Sequence, residues 1–296
     1  MRRAALTGLL LAGCAHAQPA LDPALVPGAL TTGGRARTFL AWQAPAGAPL
    51  VIALHGRLGT GGGQATLSGL VPLARREGFT VVFPDGIERS WHDARGVGPA
   101  AQQGVDDVAF LSALIDDFVA RGSDPARVYV LGMSNGGFMA LTVACRLADK
   151  VAGVASITGT LATKLRADCP MSRPVPIALF QGTTDPLVPF EGGRVANDRG
   201  EITSAMEAAR FFAAKNGCAL EAQAQALPDV DPADGTRVEA RRFGACGAPV
   251  ELYVVTGGGH TWPGGWAYLR EGFIGKTSRD VDASQVSWAF FKRFRR

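Results

Sequence analysis

Apolar residues along the chain follow two alternating rhythms. Unbroken runs such as Leu50–Leu54 and Phe79–Phe83 leave no polar face and predict strands buried on both sides. Between them apolar positions recur every three or four residues, over Leu67–Arg76 and again at Val108, Leu111, Leu114, Ile115 and Phe118, where Gly122 is the expected stop. The alternation continues through a run of strand-forming residues from Arg127 that ends in Gly132–Gly136, a following helix, strands at Val151–Ile157 and Val175–Gln181, a helix over Ile202–Lys215 and a last strand at Val250–Val255. A closing helix carries Val286, Ala289, Phe290 and Phe294 on one stripe. Such alternation predicts an α/β fold, a mainly parallel sheet with helices on both faces and its working edge at the carboxyl ends of the strands. No internal repeat or low-complexity linker divides the pattern. Ser90–Gly104 is expected to be a loop over the site, and Leu227–Gly235 a surface excursion.

The first 17 residues do not fit this rhythm. Arg2 and Arg3, the apolar run Ala4–Gly13 and the small residues after it have the layout of an export signal, too short to span a membrane. Two processing sites compete: Ala15-His16-Ala17 before Gln18, and Leu11-Ala12-Gly13-Cys14, which resembles a bacterial lipobox and favours lipidation of Cys14. Roughly 280 residues remain, enough for one substantial domain over 18–296 and hardly for two. The formal charge of +4 includes Arg2 and Arg3, so nothing points to nucleic acid, and the Lys292–Arg296 cluster reads as a solvated helix end. Beyond the leader lie Cys145, Cys169, Cys218 and Cys246, an even number that suggests two disulfides in an exported chain, with three pairings open. No C-x-x-C spacing suggests zinc.

Candidate chemistry centres on Gly132-Met133-Ser134-Asn135-Gly136, which has the form G-x-S-x-G. At that spacing a serine can stand at the apex of a tight strand-to-helix turn, because glycines two residues either side let the turn close. Such a serine needs a base, and among His16, His55, His92 and His260 only His260 lies beyond Ser134, as the order serine, acid, histidine requires. The acid that fixes the imidazole is expected at Asp185, just past a strand, with Asp231 as the runner-up. Backbone donors for an oxyanion are expected at Asn135 and at Arg57, in the loop after Leu54. His55 is expected to brace that loop, and Asp106 and Asp107 to cap a helix. Trp91 and Trp262 are candidate rings for stacking on substrate, against ordinary packing as the plainer alternative.

His55-Gly56, Gly132–Gly137, Gly182–Asp185 with Val188-Pro189, and Gly258–Gly264 together resemble the bacterial poly(3-hydroxybutyrate) depolymerase and feruloyl/acetylxylan esterase family of α/β-hydrolases. Val105–Val108 and the stretch from Asp282 to Phe291 are similar too, so the likeness covers almost the whole chain after the leader. The resemblance implies Ser134 as nucleophile, Asp185 as acid and His260 as base, no large cap domain, and disulfides Cys145–Cys169 and Cys218–Cys246. Arg57 departs from it, standing where many relatives carry a small residue.

The expected function is a serine carboxylesterase outside the cytoplasm, needing no metal or organic cofactor. Its substrates would be feruloyl or acetyl esters of plant polysaccharide or small esters, the alternative being hydroxybutyrate polymer or oligomer. Attachment to a membrane would come only through Cys14. A nucleotide site at Gly56–Gly63 is disfavoured, since a P-loop needs a lysine and that loop has none. A non-catalytic envelope lipoprotein on a hydrolase scaffold is the remaining reading.

Overall fold

The computed structural model describes residues 19–296; the leader, with Cys14 and both processing sites, lies outside the described residues. Its centre is a ten-stranded sheet. The strands are β1 (Val26–Thr32), β2 (Arg35–Trp42), β3 (Leu50–Leu54), β4 (Thr80–Pro84), β5 (Val128–Met133), β6 (Gly153–Ile157) and β7 (Ile177–Gly182). After the short pair β8 (Gly193–Arg194) and β9 (Glu201–Ile202) come β10 (Gln223–Ala226), β11 (Arg237–Phe243) and β12 (Val250–Thr256). The order across the sheet is β1-β2-β4-β3-β5-β6-β7-β12-β11-β10, while β8 and β9 form a separate two-stranded pair, with Ile202 of β9 also bridging to Ala162. From β4 to β12 neighbouring strands are parallel, and antiparallel strands close each edge.

The helices are α1 (Gly61–Ser68), α2 (Leu70–Glu77), α3 (Pro99–Gln102), α4 (Asp107–Ala120), α5 (Asn135–Arg146), α6 (Thr163–Ala167), α7 (Ala205–Lys215), α8 (Glu271–Ile274) and α9 (Ala283–Phe291). They form two layers, and each central strand feeds both. On one face Ile52, Leu54 and Val130 pack with α4, α5 and α7; on the other Val51, Ala53 and Leu131 pack with α1, α2 and α9. This alternation explains why β3 and β5 read as unbroken apolar runs: every residue meets a helix layer. At about 1.5–3 kcal/mol per fully buried large side chain, these two layers are the main stabilising contribution to the sheet.

Several expected elements are placed differently. The helix expected over Leu67–Arg76 is two helices, because Gly69 adopts a left-handed φ of 60° between α1 and α2. The Gly-rich stretch considered for nucleotide, Gly56–Gly63, is a loop that runs into the start of α1, which is capped by Thr60. Gly61 is held against β4 so closely that a Cβ would lie 2.2 Å from the Phe83 carbonyl oxygen. The helix expected from Ile202 begins at Ala205, where Ser204 and Glu207 form a capping box. Asp106 caps α4 as expected, whereas buried Asp107 instead pairs with Arg37 at 2.6 Å and accepts from the His92 N–H at 2.7 Å.

Two disulfides tie the outer elements to this frame. Cys145, at the end of α5, is bonded to Cys169 after α6, and Cys218, after α7, to Cys246 in the β11–β12 turn. They close segments of 24 and 28 residues. Chain entropy assigns each about 3–4 kcal/mol. Replacing Cys145 and Cys169 together by Ala should therefore lower unfolding free energy by about 2–4 kcal/mol in denaturant titration; an unchanged midpoint would show that this bond does not constrain the unfolded chain.

Candidate active site

β5 ends at Met133 and α5 begins at Asn135, so Ser134 alone makes the turn. Its φ of 55° is a left-handed conformation, which costs a residue with a Cβ about 1–3 kcal/mol. The Ser134 N–H donates to the Ile157 carbonyl at 2.8 Å, and the Ser134 carbonyl accepts from the Phe138 N–H at 2.9 Å. Both flanking glycines are dictated by space. A Cβ on Gly132 would lie 2.3 Å from the Gly136 carbonyl oxygen, and one on Gly136 would lie 2.4 Å from that of Leu54. This approach sets the start of α5 against the end of β3, where the loop His55–Gly59 leaves the sheet.

His260 follows β12 and is buried. Its Nδ1–H donates to Asp185 Oδ2 at 2.7 Å. With the carboxylate as acceptor the hydrogen of this bond is on Nδ1, and in the neutral ring that tautomer leaves the lone pair on Nε2. Asp185, just past β7, is itself held, since its Oδ1 accepts from the N–H groups of Leu187 at 2.8 Å and Val188 at 2.9 Å. The Tyr268 hydroxyl donates to the His260 carbonyl at 2.9 Å. Burial, helped by the charge of Asp185, raises the Tyr268 hydroxyl above its ordinary value, so it remains a neutral donor. Asp231 lies elsewhere, with its N–H donating to Asp280 at 3.2 Å.

Ser134 and His260 face one cavity of about 360 Å³. Leu67, Leu187, Leu269 and Ile274 give it apolar walls, and Arg57 and Arg199 also line it. A second hollow, of about 510 Å³ beside His92, Asp106 and Lys164, contains neither Ser134 nor His260. Two backbone N–H groups near the serine are without a partner among the described residues. Asn135 N–H is the first of α5 and has no intrahelical acceptor. Arg57 N–H makes no hydrogen bond within the described residues, and it adjoins Gly56, where a Cβ would stand 3.5 Å from Ser134 Cβ.

Residues 43–202, just over half of the chain, match the phospholipase/carboxylesterase family. The chain belongs to that family of α/β-hydrolases. It is a carboxylic ester hydrolase. It is 29% identical over 290 residues to the provisionally named esterase NocK of Nocardia uniformis subsp. tsuyamanensis, covering 92% of this chain and 84% of that protein. It is 31% identical over 233 residues to feruloyl esterase B of Piromyces equi, over 76% of this chain but only 42% of that longer protein. The acetyl xylan esterase of Aspergillus awamori has the same fold, with a TM-score of 0.62 at 13% identity over 90% of this chain and 99% of that one.

Two expected substrate rings are corrected. Trp91 and Trp262 are fully buried and line no part of the Ser134 cavity. Each indole N–H is spent inside the protein, Trp91 on the His55 carbonyl at 2.8 Å and Trp262 on Ser284 Oγ at 3.1 Å. The aromatic residues that do line the cavity, Trp266 and Tyr268, come from the irregular stretch before α8, where no periodicity marks them. Ser90–Gly104 contains α3 and is tied to the start of α5. The Asn135 side chain accepts from the Trp91 N–H at 2.8 Å and donates to Asp93 at 2.6 Å, while Asp93 pairs with buried Arg95.

His55 braces the serine-side loop with both ring nitrogens. Nδ1–H donates to the Gly56 carbonyl at 2.7 Å, and Nε2 accepts from the Gly86 N–H at 2.9 Å. Only neutral imidazole satisfies both bonds, and burial lowers the His55 pKa below 6.5. Since the folded value lies below the unfolded one, the unfolded chain binds the proton first as pH falls. The His55 contribution is complete above about pH 6.5 and is lost below it, with a slope of at most about 1.4 kcal/mol per pH unit. Unfolding free energy should therefore fall more steeply between pH 7 and 5 in the wild type than in His55→Gln. Equal slopes would mean that His55 does not titrate on unfolding.

Proposed function

We propose that Ser134, His260 and Asp185 act as nucleophile, base and acid in ester hydrolysis. The observation that carries this reading is the buried His260–Asp185 pair, bonded at 2.7 Å, sharing a cavity with a serine held in a strained turn. His260 Nε2 takes the Ser134 proton as Oγ attacks the ester carbonyl, and Asp185 stabilises the imidazolium that forms. The N–H groups of Asn135 and Arg57 receive the charge of the tetrahedral oxyanion. Collapse expels the alcohol with the proton from His260, and water repeats the sequence on the acyl-enzyme. Phospholipase/carboxylesterase membership and the likeness to a feruloyl esterase support a feruloyl or acetyl ester, or a related small ester, as substrate.

Action outside the cytoplasm fits the leader and the two disulfides, which persist in oxidising compartments. Residues 18–296 serve as one catalytic domain in this reading. Ser134→Ala should lower kcat/KM on 4-nitrophenyl acetate by on the order of 10³-fold or more. Asp185→Asn should lose a similar factor, because an amide holds the imidazole in the wrong tautomer. Wild-type rates in either variant would contradict these roles.

A further inference from the structure

Arg57 leaves the loop after β3, and Arg199 leaves the turn between β8 and β9; both reach the wall of the cavity that holds Ser134 and His260. Among the described residues neither guanidinium forms an ion pair with a carboxylate. Two nearby acids in the chain have other partners. Asp198, next to Arg199, pairs with Arg194 at 3.2 Å, and Asp93 is taken by Arg95. No described residue lining the cavity is acidic. Burial, with the nearby charges of Arg57 and Arg95, lowers the pKa of Arg199, so its surroundings disfavour its own cation and would gain from an anion.

Two guanidiniums of like charge lining one cavity, close enough for Arg57 to act on Arg199 and neither paired with a carboxylate, have the character of an anion site, and their planar forks match a carboxylate. Arg57 adds position to charge. Its backbone N–H is the proposed second oxyanion donor, so its side chain springs from the Cα bonded to that donor nitrogen. We propose that Arg57 and Arg199 form a carboxylate-recognition site, and that the preferred ester carries a free carboxylate a few bonds from the carbonyl that Ser134 attacks. This deepens the esterase reading and rests on it. The remaining walls, Leu67, Leu187, Leu269 and Ile274, suit the short apolar spacer between carboxylate and ester.

Two matched pairs of substrates test the site, with charge on the alcohol side or on the acyl side. They are the linear 3-hydroxybutyrate dimer against its methyl ester, and 4-nitrophenyl hydrogen glutarate against 4-nitrophenyl valerate. In at least one pair the charged member should be preferred in kcat/KM by about tenfold or more. Arg57→Gln, which keeps the backbone N–H, and Arg199→Gln should each remove most of that preference, and Arg199→Lys should retain part of it. Raising salt to about 0.5 M should also shrink the ratio. Because each ratio is taken within one protein sample, partial misfolding of a variant does not imitate the effect. No preference in either pair, or a preference unchanged in both glutamine variants, would overturn the proposal while normal turnover of the valerate ester left the esterase reading standing. Absence of turnover on all four esters would overturn both.

Discussion

The close approach of α5 to the ends of β3 and β5 is the constraint on which the site depends. It is measured by the 2.3 Å and 2.4 Å that would separate a Cβ on Gly132 or Gly136 from backbone oxygens. With no side chain at either position the helix starts immediately after the strand, and Ser134 is forced to a φ of 55°. That strain is local and modest beside the burial of two helix layers against the central strands, so the fold sustains it. The same contact puts the first N–H of α5 beside the loop after β3. One packing decision therefore places both the serine and the donors proposed to stabilise its oxyanion.

Around that contact the polar groups are arranged so that each has one arrangement available. The Asn135 side chain binds the Trp91 backbone and Asp93, the Trp91 indole binds His55, and His55 binds Gly56 and Gly86. This chain of buried hydrogen bonds links the start of α5 to the loop that carries Arg57. Low dielectric makes every missing partner costly, so the network holds geometry as well as contributing stability. On the opposite side, Asp185 is fixed by two backbone N–H groups before it meets His260.

The inner strands were legible in the sequence because residues such as Val51 and Ile52 meet a helix layer on each face and leave no polar position. The edge strands were not. β1 and β10 are largely exposed, and Pro27 and Gly28 within β1 disguise it further, so no apolar rhythm marked them. α1 was hidden by Gly61, Gly62 and Gly63; Gly61 at least is set by its approach to β4 rather than by helix propensity. At the site, chain order alone left one histidine after Ser134, and a strand end singled out Asp185. The two tryptophans were misjudged because a loop position does not reveal whether an indole N–H finds a partner inside. Trp266, Tyr268 and Arg199 were missed because they reach the cavity through irregular segments, whose placement is set by tertiary contacts.

In the proposed mechanism Ser134 forms a covalent bond to the acyl group during turnover. Acid quenching of the enzyme during steady-state hydrolysis of a slowly deacylating 4-nitrophenyl ester, followed by proteolysis and mass spectrometry, tests this directly. An added acyl mass is expected on the peptide containing Ser134, localised to that residue by fragmentation and absent from His260→Ala. An acyl group found on another residue, or hydrolysis with no adduct under conditions where product release shows a burst, would contradict it.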